Sequence, residues 1–314
     1  MAQKGNRRVS FTFRPAKREN TPLIIGLAGP TKSGKTYSAH RLSRGLVSKP
    51  DPRIIMLNAE GARGHQYADE FNYIACDIDA PFGPDRYADA VIDIKKEKPD
   101  AVIIDSCSHM HDGPGGLLEW HESELDRMAG QDYKKRERCT WAAWIKPKAA
   151  ENAFIYAMLS LDCPVTLCFR AKEKLKLVPG KEPIDLGWQP IAGDRITFET
   201  IFTLVLPPHS KGVPDLSASE MRKPFDSMVP VGKPIDEDLG RKLAEWSVGR
   251  PALSEDEVKD LLLGMEAATS MDALKKLGER AKLAPLSQQD HLRGVYAAMQ
   301  KKLKPITPSS AAST

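Results

Sequence analysis

The sequence predicts an α/β fold: a mostly parallel, doubly wound sheet with a small helical module at its C-terminal end. Three observations lead there. Short apolar runs alternate with helical stretches over residues 22–170. Those runs are apolar throughout rather than every second residue, as in strands buried on both faces. Beyond Gly249-Arg250-Pro251 the texture changes to segments with leucine and methionine at helical spacing.

The elements follow in order. Residues 22–28 (PLIIGLA) read as a buried strand entering a glycine turn. Residues 35–47 read as a helix stopped by Ser48-Lys49-Pro50. Residues 53–57 and 73–78 are the next strands. Pro84 and Asp85 suit the first turn of a helix reaching about Lys98, and residues 101–105 (AVIID) form another buried strand. Helices are expected at 116–129 and 147–161, then a strand at 165–169. A lysine-rich loop follows over 171–190, with late strands at 200–206 and 220–225 and a closing helix at 236–248. Three helices fill residues 251–304. Ser254 with Glu257 forms a capping box, and Ser270 and Ser287 are N-cap candidates. Residues 1–20 read as a basic tail and 305–314 as a disordered one.

At 314 residues, with roughly 100–200 per domain, one large domain and a small appendage are expected. Hydrophobic residues at 41% and charged residues at 28% are ordinary for a globular chain, which excludes wholesale disorder. No apolar run approaches the roughly 20 residues of a membrane span. No secretory leader is visible, so a cytoplasmic protein without a membrane partner is expected. Five cysteines without a CxxC pair read as reduced thiols rather than a metal or disulfide framework. The net charge of +4 is small, but basic residues cluster at 1–20, 130–148 and 170–182.

Residues 29–36, GPTKSGKT, match the phosphate-loop pattern GxxxxGK[ST] between a predicted strand and helix. Glycines let successive amides turn toward phosphate oxygens, and the helix adds its positive end. Gly29, Pro30, Thr31, Lys32, Ser33, Gly34, Lys35, Thr36 and Tyr37 are therefore the expected nucleotide-contact residues. Lys35 brings a cation to the β/γ-phosphates, and the Thr36 hydroxyl ligates Mg²⁺. Asp105 ends its strand as a second metal-holding group. Glu60 follows the 53–57 strand, which is expected beside the phosphate-loop strand. It is the candidate base for activating water. The implied cofactors are ATP and Mg²⁺.

Together, GPTKSGKT, IIMLNAEGA and IIDS resemble the RecA-like recombinase ATPases over roughly residues 21–250. The resemblance implies a RecA-like P-loop NTPase fold and ATP hydrolysis. It implies Glu60 as catalytic base, Asp105 as metal aspartate and Lys35 as a catalytic cation. PVTLCFR resembles the strand before the family's second DNA-binding loop. There Arg170 stands where RecA has a glutamine sensor, and Asn58 stands where the family has an aspartate. Pro81-Phe82-Gly83-Pro84, Ser106-Cys107-Ser108-His109, Gly113–Gly116, Trp144 and Pro147 are most similar to compact phage-encoded RecA-like proteins of single-strand annealing and recombination. That implies single-stranded DNA, a homo-oligomer, and single-strand-binding or other recombination proteins as partners, in a host cytoplasm.

The expected DNA contacts are Lys172, Lys174, Lys176 and Lys181 with Trp188, supplemented by Lys134, Lys135, Arg136 and Arg138. A charged mobile loop explains the lysines equally well. Trp141 and Trp144 are expected in the core, Cys107 is expected as a buried filler, and His109, His111, Asp112 and His121 as loop or core residues rather than a metal site. Two other classes remain open: a P-loop small-molecule kinase, and a low-turnover ATP-dependent loading or structural protein.

Overall fold

The computed structural model describes residues 22–176, 182–221, 223–248, 253, 255–281, 284 and 286–303. The α/β class with a mostly parallel sheet and a C-terminal helical module is what the structure has. β1 (Ile24–Gly29), β2 (Ile54–Asn58), β3 (Ile74–Asp77), β4 (Ala101–Asp105), β5 (Val165–Lys176), β7 (Phe202–Val205) and β8 (Asp215–Glu220) lie in the order β3-β2-β4-β5-β1-β7-β8. β6 (Ile184–Pro190) pairs only with β5. Pairing is parallel from β3 to β7 and antiparallel for β7–β8 and β5–β6.

The apolar runs are fully buried in β1, β2 and β4 because helices cover both faces. Alternate residues divide between two cores. Ile24, Ala28, Ile55 and Leu57 face α2 (Pro84–Lys96) and α6 (Ile145–Leu159), packing with Tyr87, Val91, Phe154 and Met158. Ile25, Leu27, Ile54 and Met56 face α1 (Lys35–Leu46) and α8 (Glu237–Ser247), packing with Leu42, Leu46, Leu239 and Leu243. Where α1 crosses α8, a Cβ on Gly45 would stand 2.1 Å from the Glu237 carbonyl oxygen, so only glycine permits that approach.

Several expectations need correction. Within 171–190 the described residues are not a loop: β5 runs on to Lys176 and β6 pairs antiparallel with it as a two-stranded ribbon. The Lys/Glu alternation hid it, because neither face of the ribbon forms a continuous apolar side. The strand expected at 220–225 lies at Asp215–Glu220, since Pro224 has no N–H for a ladder. Between α4 (Leu117–Ala129) and α6 stands an unexpected helix, α5 (Tyr133–Ala143), started by Asp132 accepting from the Lys135 amide. Its charge-rich sequence carries almost no apolar periodicity. Trp141 on it is 82% exposed rather than core, while Trp144 is half-buried and stacked on His121 at 4.0 Å.

The second compact unit begins at Gly249. α9 (Glu255–Glu266), α10 (Met271–Ala281) and α11 (Leu286–Leu303) enclose Val258, Leu261, Met265, Leu274, Leu292 and Met299. Ser270 caps α10 by accepting from the Ala273 amide. Ser287 falls inside α11 rather than before it, and Ser254 lies outside the described residues, as do both predicted tails.

His40, on α1, is sealed under an aromatic lattice. Its ring stacks on Phe71 at 5.0 Å and lies 4.4 Å from Tyr73, and neither nitrogen has a hydrogen-bond partner among the described residues. Burial pushes its pKa down to about 4. The unfolded chain therefore takes up a proton that the folded one refuses. Stability falls as pH drops from about 6.5 towards 4. Urea unfolding at pH 7, 6 and 5 should show His40→Leu gaining on the native protein by up to about 1.4 kcal/mol per pH unit. A pH-independent difference would refute this.

Candidate functional site

Parallel pairing collects the carboxyl ends of β1, β2, β4 and β5 along one sheet edge, where open α/β sheets bind ligands. The register sets Asn58 beside Asp105, Asp105 beside Cys168, and Arg170 beside Gly29. β2 does not lie beside β1, as the sequence suggested; β4 and β5 intervene. A run buried on both faces suits any interior slot, so its neighbours cannot be inferred from composition.

The phosphate loop leaves β1 at Gly29, where a Cβ would meet the Leu206 carbonyl oxygen at 2.3 Å. Lys32 and Gly34 both adopt positive φ, 68° and 95°, which turns the chain into α1. The first amides of α1 have no acceptor within the helix. Lys35 is buried and its Nζ donates to the Pro30 carbonyl oxygen at 2.8 Å. Burial lowers its pKa, against the raising influence of Cys168, Asp105 and Glu60. Thr36 Oγ1 donates to Asp105 Oδ2 at 2.5 Å. Asp105 is only 3% exposed and burial raises its pKa, opposed by the Thr36 hydroxyl and Lys35. The Asp105–Ser106 peptide is cis.

Glu60 reaches this edge because β2 ends in a tight turn organised by buried Asn58. The Asn58 side chain accepts from the Glu60 amide at 3.0 Å and donates to the Gly61 carbonyl and to Asp77. Arg170 Nη2 and Nε donate to Glu60 Oε1 at 3.0 and 3.2 Å, and Arg63 lies 3.2 Å from Oε2. Arg170 Nη2 also meets His109 Nε2 at 2.8 Å, and His109 Nδ1 meets Ser106 Oγ at 3.0 Å. His109 belongs to the short helix α3 (Ser108–Asp112), whose Ser108 hydroxyl accepts from the Arg170 amide at 2.8 Å.

The structure thus brings Lys35, Thr36, Asp105, Glu60 and Arg170 together. Thr31 and Lys32 lie exposed on the loop, Ser33 turns inward, and Tyr37 packs edge-on against Tyr67 and Phe71 at 5.4 and 5.1 Å. Cys107 is fully buried and its thiol pKa is raised by burial, as suits a filler. Lys172 and Lys174 stand exposed on the ribbon; Lys176 ends β5, and Lys181 lies outside the described residues. Trp188 packs, half-buried, against the core. On α5, Arg136 is tied to Glu122 and Asp126 and so serves the α4–α5 contact. His121 is held by Trp144 and the Thr140 carbonyl, and no cluster of three metal-binding side chains occurs among the described residues. No described helix is long and apolar enough to cross a membrane.

Sequence reasoning missed Asn58, Arg63 and His109 as organisers of Glu60. It also missed the β7–β8 connection, where the Gly212 amide and the Ser210 hydroxyl donate to the Ser33 carbonyl at 2.9 and 3.1 Å. The Walker-type spacing contains no signal for these. The NAEG turn was the one available clue to Asn58.

No protein-family model and no curated protein matches the sequence. Among solved structures the chain is similar to the KaiC-like protein PH0186 of the hyperthermophilic archaeon Pyrococcus horikoshii OT3, at 14% identity and a TM-score of 0.29, over 62% of this chain and 82% of that one.

The donor set fits a magnesium-bound triphosphate: hard oxygens from Thr36 and Asp105, a buried ammonium, and a loop turned by left-handed residues. Gly34→Ala tests the loop. A Cβ there would meet the Gly212 amide nitrogen at 2.6 Å, and the left-handed backbone alone costs about 1–2 kcal/mol. Denaturant unfolding should show at least that loss; an unchanged midpoint would contradict the geometry.

Proposed function

We propose that the chain is a RecA-like P-loop ATPase that acts on single-stranded DNA, working as a homo-oligomer in strand annealing or recombination. The observation that carries the ATPase reading is the convergence of two carboxylates on one phosphate loop. Asp105 is already bonded to Thr36, and Glu60 is held across the edge by Arg170.

The division of labour follows from the chemistry of each group. Lys35 exchanges the Pro30 carbonyl for phosphate oxygens, and the loop amides complete the cradle. Thr36 and Asp105 would hold Mg²⁺, which neutralises charge developing on the phosphates. Glu60 orients and deprotonates the attacking water. In the free protein both its oxygens face arginines, which fix the direction of the carboxylate at the sheet edge. Arg170 has donors to spare for a γ-phosphate while it stays bonded to Glu60, so it can tie that phosphate to the carboxylate.

The DNA reading is supported by the ribbon. β5 continues from Arg170 directly into Lys172 and Lys174, both of them exposed. Exposed lysines at this end of the ribbon, Lys172 opposite Gln189, suit a single strand's phosphates.

Purified protein should hydrolyse ATP faster with single-stranded DNA, and Glu60→Gln should lose about 10²–10⁴-fold in kcat while keeping nucleotide affinity. Undiminished turnover would remove Glu60 from its role. Phosphate appearing only on an added small acceptor would favour a kinase. Changing Lys172, Lys174 and Lys176 to alanine should weaken binding of a fluorescent oligonucleotide. It should also flatten the salt dependence by about 0.7 per lost phosphate contact. An unaltered slope would exclude the ribbon.

A further inference from the structure

We propose that His109 is a positioning residue for hydrolysis: its Nε2 lone pair holds the Arg170 guanidinium in the orientation that bridges to Glu60. The proposal rests on the ATPase reading above and adds a residue to that site.

A guanidinium only donates, so the 2.8 Å contact between Arg170 Nη2 and His109 Nε2 requires an unprotonated Nε2. The neutral ring then carries its hydrogen on Nδ1, which faces Ser106 Oγ at 3.0 Å and donates to it. The two hydrogens of Arg170 Nη2 are thereby assigned, one to His109 and one to Glu60 Oε1 at 3.0 Å. The imidazole is itself fixed. Its side chain is 11% exposed, its ring centroid lies 4.8 Å from that of Phe82, and Ser106 directly follows the metal-side aspartate. Arg170 is more open, with a long side chain of many rotamers. The histidine supplies the anchor that its own strand does not. The groups facing the ring are Arg170 from β5, Glu60 3.8 Å from Nδ1, and Arg63 from the turn after β2, with Asp112 on its own helix. A neutral ring is the form these surroundings favour, because burial penalises a charged imidazole and the Arg170 guanidinium repels a second cation.

His109→Leu removes the acceptor and keeps an apolar contact for Phe82, whereas His109→Gln returns an acceptor oxygen near the position of Nε2. In the full chain, His109→Leu should lower kcat for ATP about tenfold, the scale of losing outer support for a reactive group. Nucleotide affinity should stay unchanged, and His109→Gln should restore most of the rate. Native kcat in the leucine variant, equal loss in both variants, or a parallel loss of nucleotide affinity would each overturn the proposal. Nitrogen-15 shifts of the nucleotide-free protein read the tautomer without any turnover. A hydrogen on Nδ1 supports the proposal, and one on Nε2 overturns it. A native protein with the Nδ1 tautomer but no Glu60-dependent hydrolysis would sink the ATPase reading, and His109's part in hydrolysis with it. A failure confined to the His109 variants leaves that reading standing.

Discussion

The insertion of β5 between β1 and β4 is the constraint on which the site depends. Parallel pairing on both sides of one strand ties the 29–36 loop, Asp105 and Arg170 to a common edge with a fixed register. A one-residue slip would turn each strand's side chains to the opposite face, burying Arg170 or exposing Phe169. Because both faces of the sheet are covered by apolar helices, that slip is strongly disfavoured. The site inherits its precision from the core beneath it.

Across this edge the charges form a connected series rather than separate pairs. Lys35 rests on the Pro30 carbonyl of its own loop, Asp105 is satisfied by Thr36, and Glu60 by Arg170 and Arg63. Each group thus has a partner within the free protein. Buried ionisable groups are tolerable only when paired. The network continues through α3 and β5 towards the lysine ribbon, giving the two proposed binding regions a shared strand.

Two glycines mark where backbone must pass backbone. Gly45 lets α1 lie against the start of α8, and Gly34 lets the β7–β8 connection approach the phosphate loop. The loop is therefore supported from below by Gly212 and Ser210, not merely suspended between strand and helix.

Local chemistry was enough to locate β1, β2, β4 and the loop at 29–36, because continuous apolar runs and glycine-lysine-threonine spacing express needs that a few adjacent residues satisfy by themselves. The same holds for Asp105, whose place at a strand end follows from the run before it. Strand neighbours were not legible: β2 and β5 carry similar apolar sequences, and only the packing of α1 and α8 on one side and α2 and α6 on the other decides their order. The ribbon of β5 and β6 and helix α5 were also hidden, since exposed elements have no apolar period to display. Nor could spacing reveal His109, Arg63 or Asn58 around Glu60. Hydrogen bonds between groups as far apart in sequence as Glu60 and Arg170 exist only once the chain has folded and the register has brought the strand ends together.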